Sequence, residues 1–321
     1  MSADSPLGIV FAGMDAGGTS VDIRYLRGDV EGELHLPGVN IRRDGVDKAV
    51  DRLAAAIAAT VEASATAASV DQPVERIVAA IGAAGAGDAE TCRSVESRLR
   101  RALVGGNVGG LTVLVMSDAE LALIAAHGAE PGAVVIVGTG SAALMRRPDG
   151  SIVRRGGLGY LLGDEASGYA IGLAAARYYA RSIDRGEDGT LATRLADALG
   201  AQTRASIITT VYDGTFPLQN LASVVLDAFA AGDPDAARIV EAELRELAKT
   251  LASLDHESDP GGVGFCVSGG LTAHPKFVDA MQRIAMPPTW KRVEPASESA
   301  AEAALVIAQG LGERYAGQPL A

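Results

Sequence analysis

Near the start of the chain two apolar runs with a period of two, "IVFAGMD" and "SVDIRYL", flank a glycine-rich turn, and a weaker third run, "GELHLPG", follows. This pattern predicts a strand meander. The rhythm then changes. "VDKAVDRLAAAIAATVEASATAA" has alanine-rich helical character, "RIVAAIGAAGAG" reads as a buried strand ending in glycines, and "TCRSVESRLRRAL" as a second helix. "LTVLVMSD" is an apolar strand that stops at Ser117 and Asp118, and "AELALIAAHG" continues as a helix ended by Gly128. Strands alternating with helices predict an α/β fold.

The same syntax begins again in "AVVIVGTGSAALMRRPDGSIVRRGG": strand, Gly/Thr/Ser turn, strand, Pro-Asp-Gly turn, strand. A helical region over about 165–255 follows, in which "AGDPDAARIVEAEL" places Asp233 as an N-cap with Pro234 at the first helical position. "GFCVSGGLTAH" then reads as a buried strand running into Gly269 and Gly270, and "AAEAALVIAQGLGERY" as an amphipathic helix. This repeat of architecture predicts an N-terminal lobe over 1–118 and a C-terminal lobe over 119–299, the last helix, about 300–321, packing back on the first lobe.

Charge and cysteine content narrow the partners. Forty acidic against 28 basic side chains give a formal charge of −12, which repels nucleic acid and anionic lipid at long range. Nucleotide phosphates are not excluded, because local N–H groups and a metal ion supply their own positive field. Cys92 and Cys266 alone support neither a disulfide framework nor an all-cysteine cluster. The four histidines, His35, His127, His256 and His274, lack metal-ligand spacing. With no basic leader and no run of about 18 apolar residues, a cytoplasmic protein is expected.

The two glycine turns carry the candidate chemistry. Gly17 and Gly18 let backbone N–H groups approach an anion, Thr19 and Ser20 add hydroxyls, and Asp15 is placed to hold a hydrated Mg²⁺ against phosphate oxygens. Gly138, Thr139, Gly140 and Ser141 repeat the arrangement. Either loop alone reads as an ordinary tight turn. Their recurrence at corresponding points of two repeats favours a nucleotide clamp. Asp118, at the mouth of a buried strand, is the candidate general base, against the alternative that it or Ser117 caps the next helix.

"MDAGGTS", "SDAELAL", "VGTGSAAL", "GGLGYLLGDEASGYAIG" and "CVSGGL", in that order, resemble the motifs of the N-acetylglucosamine kinase and benzoyl-CoA reductase activator type ATPase family of the actin and hexokinase superfamily. The resemblance implies two ribonuclease-H-like lobes with ATP and Mg²⁺ in the cleft between them, and phosphorylation of a sugar's primary hydroxyl. It assigns Asp118 to catalysis and Asn40, Thr139, Gly157, Leu158 and Asp164 to the sugar, and it allows a homodimer. Gly269 and Gly270 fit a loop beside the adenosine. Leu158 stands where these kinases usually carry tryptophan, and "AAIGAAGAGD" replaces a more hydroxyl-rich stretch.

Those departures unsettle an acetyl-binding wall and point to glucosamine, as in the glucosamine kinase branch, with N-acetylglucosamine or glucose as alternatives. An activator ATPase without a sugar substrate is disfavoured by the placement of the two cysteines. A sugar-sensing repressor is disfavoured because the first strand begins near Ile9, and the cysteine-rich zinc loop of a related kinase group is absent.

Overall fold

A computed structural model describes residues 7–68, 72–103, 109–214, 216–255 and 262–315. His256 and the stretch 316–321 of the expected last helix lie outside them. In chain order the elements are β1 (Ile9–Ala16), β2 (Ser20–Arg27), β3 (Val30–Pro37), α1 (Ile41–Asp44), α2 (Val46–Ala68), β4 (Arg76–Ala83), α3 (Ala89–Leu103), β5 (Leu111–Ser117) and α4 (Asp118–His127). There follow β6 (Gly132–Val137), β7 (Ser141–Arg146), β8 (Ile152–Gly156), α5 (Gly168–Arg185), α6 (Thr190–Leu199), α7 (Arg204–Tyr212), α8 (Leu221–Ala230) and α9 (Pro234–Asp255). The remainder comprises β9 (Gly264–Ser268), α10 (Pro275–Ile284), β10 (Lys291–Arg292) and α11 (Ala300–Tyr315).

Packing divides the chain into two compact units, Met1–Ala129 with Pro295–Ala321, and Glu130–Glu294. A boundary at 118 would give α4 to the second lobe, whereas α4 packs on β4, β5 and α11 within the first unit. Each unit holds one five-stranded sheet, ordered β3-β2-β1-β4-β5 in the first and β10-β9-β6-β7-β8 in the second. The two orders are the same topology: an antiparallel meander followed by parallel strands on the far side of its first member. The repeated strand-turn-strand syntax thus becomes a repeated sheet.

In the first unit the period of two along β1 sorts side chains between two layers. Val10, Ala12 and Met14 join α2 and α3 in one core, while Phe11 meets α4 and α11 in another. Each fully buried Leu or Ile of these layers, such as Leu53, Ile57 or Leu121, contributes about 1.5–3 kcal/mol. Gly13 lies on the α11 face, where a Cβ would run into the backbone at Ala301 and Leu305, so glycine lets the helix settle directly onto the strand.

The "GELHLPG" run is stronger than its sequence suggests, since all of β3 pairs with β2. Among the described residues the long helical region resolves into five α-helices, α5 to α9, because Gly186 and Gly200 adopt left-handed φ and end two of them. Asp233 Oδ1 accepts from the N–H groups of Asp235 and Ala236, capping α9 as expected. Cys92 and Cys266 are buried thiols that are not joined in a disulfide. Among the described residues no helix is long and apolar enough to cross a membrane.

Candidate active site

The first hairpin tip, Gly17–Thr19, is docked through its carbonyls. Gly17 C=O accepts from Val39 N–H at 2.9 Å, Thr19 C=O from Gly38 N–H at 3.1 Å, and Gly18 C=O from Arg43 Nη1 at 3.2 Å. Among the described residues the N–H groups of Gly18 and Thr19 have no partner. A turn whose acceptors are consumed and whose donors are open has the polarity an anion requires. Ser20 differs from expectation, since its hydroxyl donates to Asp22 Oδ2 at 3.0 Å.

The second hairpin repeats this polarity. Gly138 C=O accepts from Gly168 N–H at 2.7 Å and Thr139 C=O from Tyr169 N–H at 3.2 Å, so the tip is held by the first turn of α5. Thr139 and Gly140 N–H have no partner among the described residues. Ser141, like Ser20, turns its hydroxyl inward, donating to Glu165 C=O at 2.7 Å. Gly269 lies behind this hairpin at φ 103°, where a Cβ would meet the Val137 carbonyl, so only glycine brings the Gly269–Gly270 turn so close.

Three carboxylates gather beside the first hairpin. Asp15 and Asp22 are direct partners across β1 and β2, and Asp118 begins α4. Burial, then the charges of Asp118 and Asp22, push the Asp15 carboxyl up to about 6. Helix capping does not account for Asp118. Ser117 is the N-cap, accepting from Glu120 N–H at 3.1 Å while Glu120 accepts from Ser117 N–H, a complete capping box. Asp118 Oδ1 accepts from its neighbour Ala119 N–H at 2.8 Å.

Asn40 caps α1 through Oδ1, which accepts from Arg43 N–H at 3.1 Å, and it borders Gly18 and Gly85. In the second unit Gly157 N–H donates to Ser141 C=O at 2.8 Å, tying "GGLG" to the hairpin. Leu158 projects outward at 63% exposure, with Tyr160, Leu161 and Leu162 exposed beside it. Asp164 is buried, and its Oδ1 accepts from Gly159 N–H at 3.3 Å. Burial raises its carboxyl, while backbone hydrogen bonds from Ser141 and Gly159 oppose the rise. It does not cap α5, a task that falls to Ser167.

Sequence reasoning does not find Asp22, His35 or Arg43. Asp22 Oδ1 lies 2.6 Å from His35 Nδ1, its direct partner on β3. Counting outward from the hairpin tip is the signal that finds this pairing, because a tight turn sets register. Arg43 reads from sequence as half of a solvated arginine pair, since nothing local shows that α1 folds it back on Gly18.

The model of the BadF/BadG/BcrA/BcrD ATPase family matches residues 12–306. The chain belongs to this family. A curated relative, the N-acetylmuramic acid/N-acetylglucosamine kinase of Clostridium acetobutylicum, is 35% identical over 171 residues, which are 52% of this chain and 54% of the relative. The chain therefore spans about half the length of that relative. A solved structure from Chromobacterium violaceum, a candidate N-acetylglucosamine kinase, superposes with TM-score 0.71 at 25% identity over 94% of this chain and 100% of that one. Another candidate of the same kind, from Porphyromonas gingivalis, gives 0.64 at 18% identity over 92% and 97%, and supports the fold alone. As a member of the BadF/BadG/BcrA/BcrD ATPases, the chain has the actin and hexokinase type of α/β fold, one five-stranded sheet in each unit.

Proposed function

We propose that the protein is an ATP-dependent hexosamine kinase that transfers the γ-phosphoryl group to the 6-hydroxyl of glucosamine. One observation carries the phosphate-binding half of this reading: both hairpins spend their carbonyls on their own scaffold and leave Gly18, Thr19, Thr139 and Gly140 N–H open. The names of the Clostridium acetobutylicum and Chromobacterium violaceum proteins support a sugar as acceptor.

Asp15 fits a magnesium ligand. Its carboxylate has no hydrogen bond or ion pair among the described residues, and the two charges that act on it, Asp118 and Asp22, are also negative. A hydrated cation relieves that arrangement, and Mg²⁺ is commonly held through one or two carboxylates plus phosphate oxygens. When bound, the metal neutralises charge on the transferring phosphoryl group.

Asp118 then orients the attacking hydroxyl and takes its proton. Asn40 donates through Nδ2, since Oδ1 is occupied by its cap, and Thr139, Gly157, Leu158 and Asp164 complete the sugar contacts. Gly269 and Gly270 lie against the adenosine. Glucosamine is favoured because aliphatic, outward-pointing Leu158 offers no aromatic wall for an acetyl group. N-acetylglucosamine is the second reading, favoured by the relatives' names. ADP release with Mg-ATP against glucosamine, N-acetylglucosamine, glucose and no sugar tests both. Stimulation by glucosamine above the others supports the proposal. A higher kcat/KM for N-acetylglucosamine transfers it to the second reading, and hydrolysis indifferent to all sugars overturns both.

A further inference from the structure

Asp164 and Ala166, with φ of 65° and 59°, are the two non-glycine residues described in the left-handed region. Such a backbone persists where its surroundings over-determine it. On one side the turn is bound to the second hairpin: Ser141 Oγ donates to Glu165 C=O, and the Asp164 carboxylate accepts from the backbone of Ser141. The residues that follow it continue the attachment, Gly168 and Tyr169 donating to Gly138 and Thr139. On the other side one hydrogen bond is found among the described residues. Ala166 N–H donates to Glu243 Oε2 at 3.2 Å, across 77 residues of sequence.

Glu243 sits on α9 between turns lined by Val240, Leu244 and Leu247. A carboxylate is costly there, since burial raises its pKa and Glu165 and Glu246 add negative charge, while the Ala166 hydrogen bond and the charge of Arg177 offset part of that cost. Ala166 is fully buried, so its N–H has no water to turn to, and an acceptor must come from the protein. The hairpin, the left-handed turn and α9 form one chain of hydrogen bonds, with Glu243 at its far end.

We infer that Glu243 is a positioning residue: by accepting the Ala166 N–H it holds the Asp164–Ala166 turn, and through that turn it fixes the Gly138–Ser141 hairpin with Thr139 and Gly140 N–H open to nucleotide phosphates. This rests on the reading of that hairpin as a phosphate loop. Glu243 touches neither nucleotide nor sugar.

The full-length protein, Glu243→Gln and Glu243→Leu are compared by calorimetric titration with Mg-ADP, by thermal melting, and by amide exchange over 138–141 and 164–169. Gln keeps an acceptor oxygen and is expected to bind within about twofold of wild type. Leu removes the acceptor and leaves the buried Ala166 N–H unpaired, so it is expected to bind about tenfold more weakly, with exchange about tenfold faster and a melting temperature lowered by a few degrees. A merely structural Glu243 would move melting without moving affinity. Unchanged affinity and exchange in Glu243→Leu overturns the inference, and so does equal weakening in both variants, which would make charge rather than hydrogen bonding the cause. If wild type binds no Mg-ADP, the phosphate-loop reading falls, and exchange alone decides whether Glu243 holds the turn.

Discussion

Asp15 on β1 and Asp22 on β2 stand directly opposite each other at the hairpin end of the first sheet. Like charges in that relation are destabilising, and Asp22 is relieved on its far side by His35, 2.6 Å away. Asp15 has no such relief, and it is the group pushed up to about 6.

That shift has a sign. A carboxyl raised from 3.8 to about 6 binds its proton more tightly in the folded chain, so the contribution is fully present below about pH 4 and lost as pH rises through 6. Above that, ionised Asp15 costs roughly 3 kcal/mol as an upper bound. Metal-free Asp15→Asn should therefore melt above wild type at about pH 8, with the gap closing below about pH 4. The same variant should need more Mg²⁺ for activity. Equal melting curves across the range would return Asp15 to the role of a solvated strand residue.

Asp118→Asn should lower kcat by about two to four orders of magnitude, the usual loss for a positioned base, with melting little changed because Ser117 and Glu120 carry the cap. Ser117→Ala is the control. It should cost about 1 kcal/mol of stability and leave kcat near wild type. Steady-state kinetics with melting on both variants separates the roles, and wild-type turnover in Asp118→Asn would end the assignment.

Gly269→Ala places a Cβ against the Val137 carbonyl at φ 103°. A loss of about 1–3 kcal/mol is expected, together with weaker nucleotide binding, because the displaced backbone adjoins Gly138. Chemical denaturation and nucleotide titration check the pair of effects, and a tolerated alanine would show that the turn has room to move.

Leu158→Trp should shift the ratio of kcat/KM for N-acetylglucosamine over glucosamine upward by about tenfold, the scale on which a hydrophobic pocket tells apart substrates differing by a small apolar group. Competition between the two sugars in one assay reads that ratio directly. A ratio unmoved by tryptophan would detach Leu158 from acceptor choice.

Periodicity alone located both meanders, α2 and the helix at Ala300–Tyr315, because alternation and a 3.6-residue stripe are local consequences of burying one face. The two glycine turns and their likeness were legible for the same reason, as was Asp233 before Pro234. Local sequence also set out the choice between capping and catalysis at Ser117-Asp118. It left that choice open, since both residues suit a helix start and only the direction of the Ser117 hydroxyl shows which one caps.

What only tertiary structure decided is where hydrogen bonds and charge go once distant segments meet. Sequence offered Ser20 and Ser141 as phosphate donors, but folding turned one hydroxyl to Asp22 and the other to Glu165, leaving backbone N–H groups as the open donors. Arg43 reaches Gly18 and Glu243 reaches Ala166 across 25 and 77 residues. No period in a sequence encodes such pairings, because they depend on how separate elements stack. Residue types determined the chain's secondary elements and its candidate chemistry. Long-range packing determined which polar atoms were spent on the scaffold and which remained free to bind.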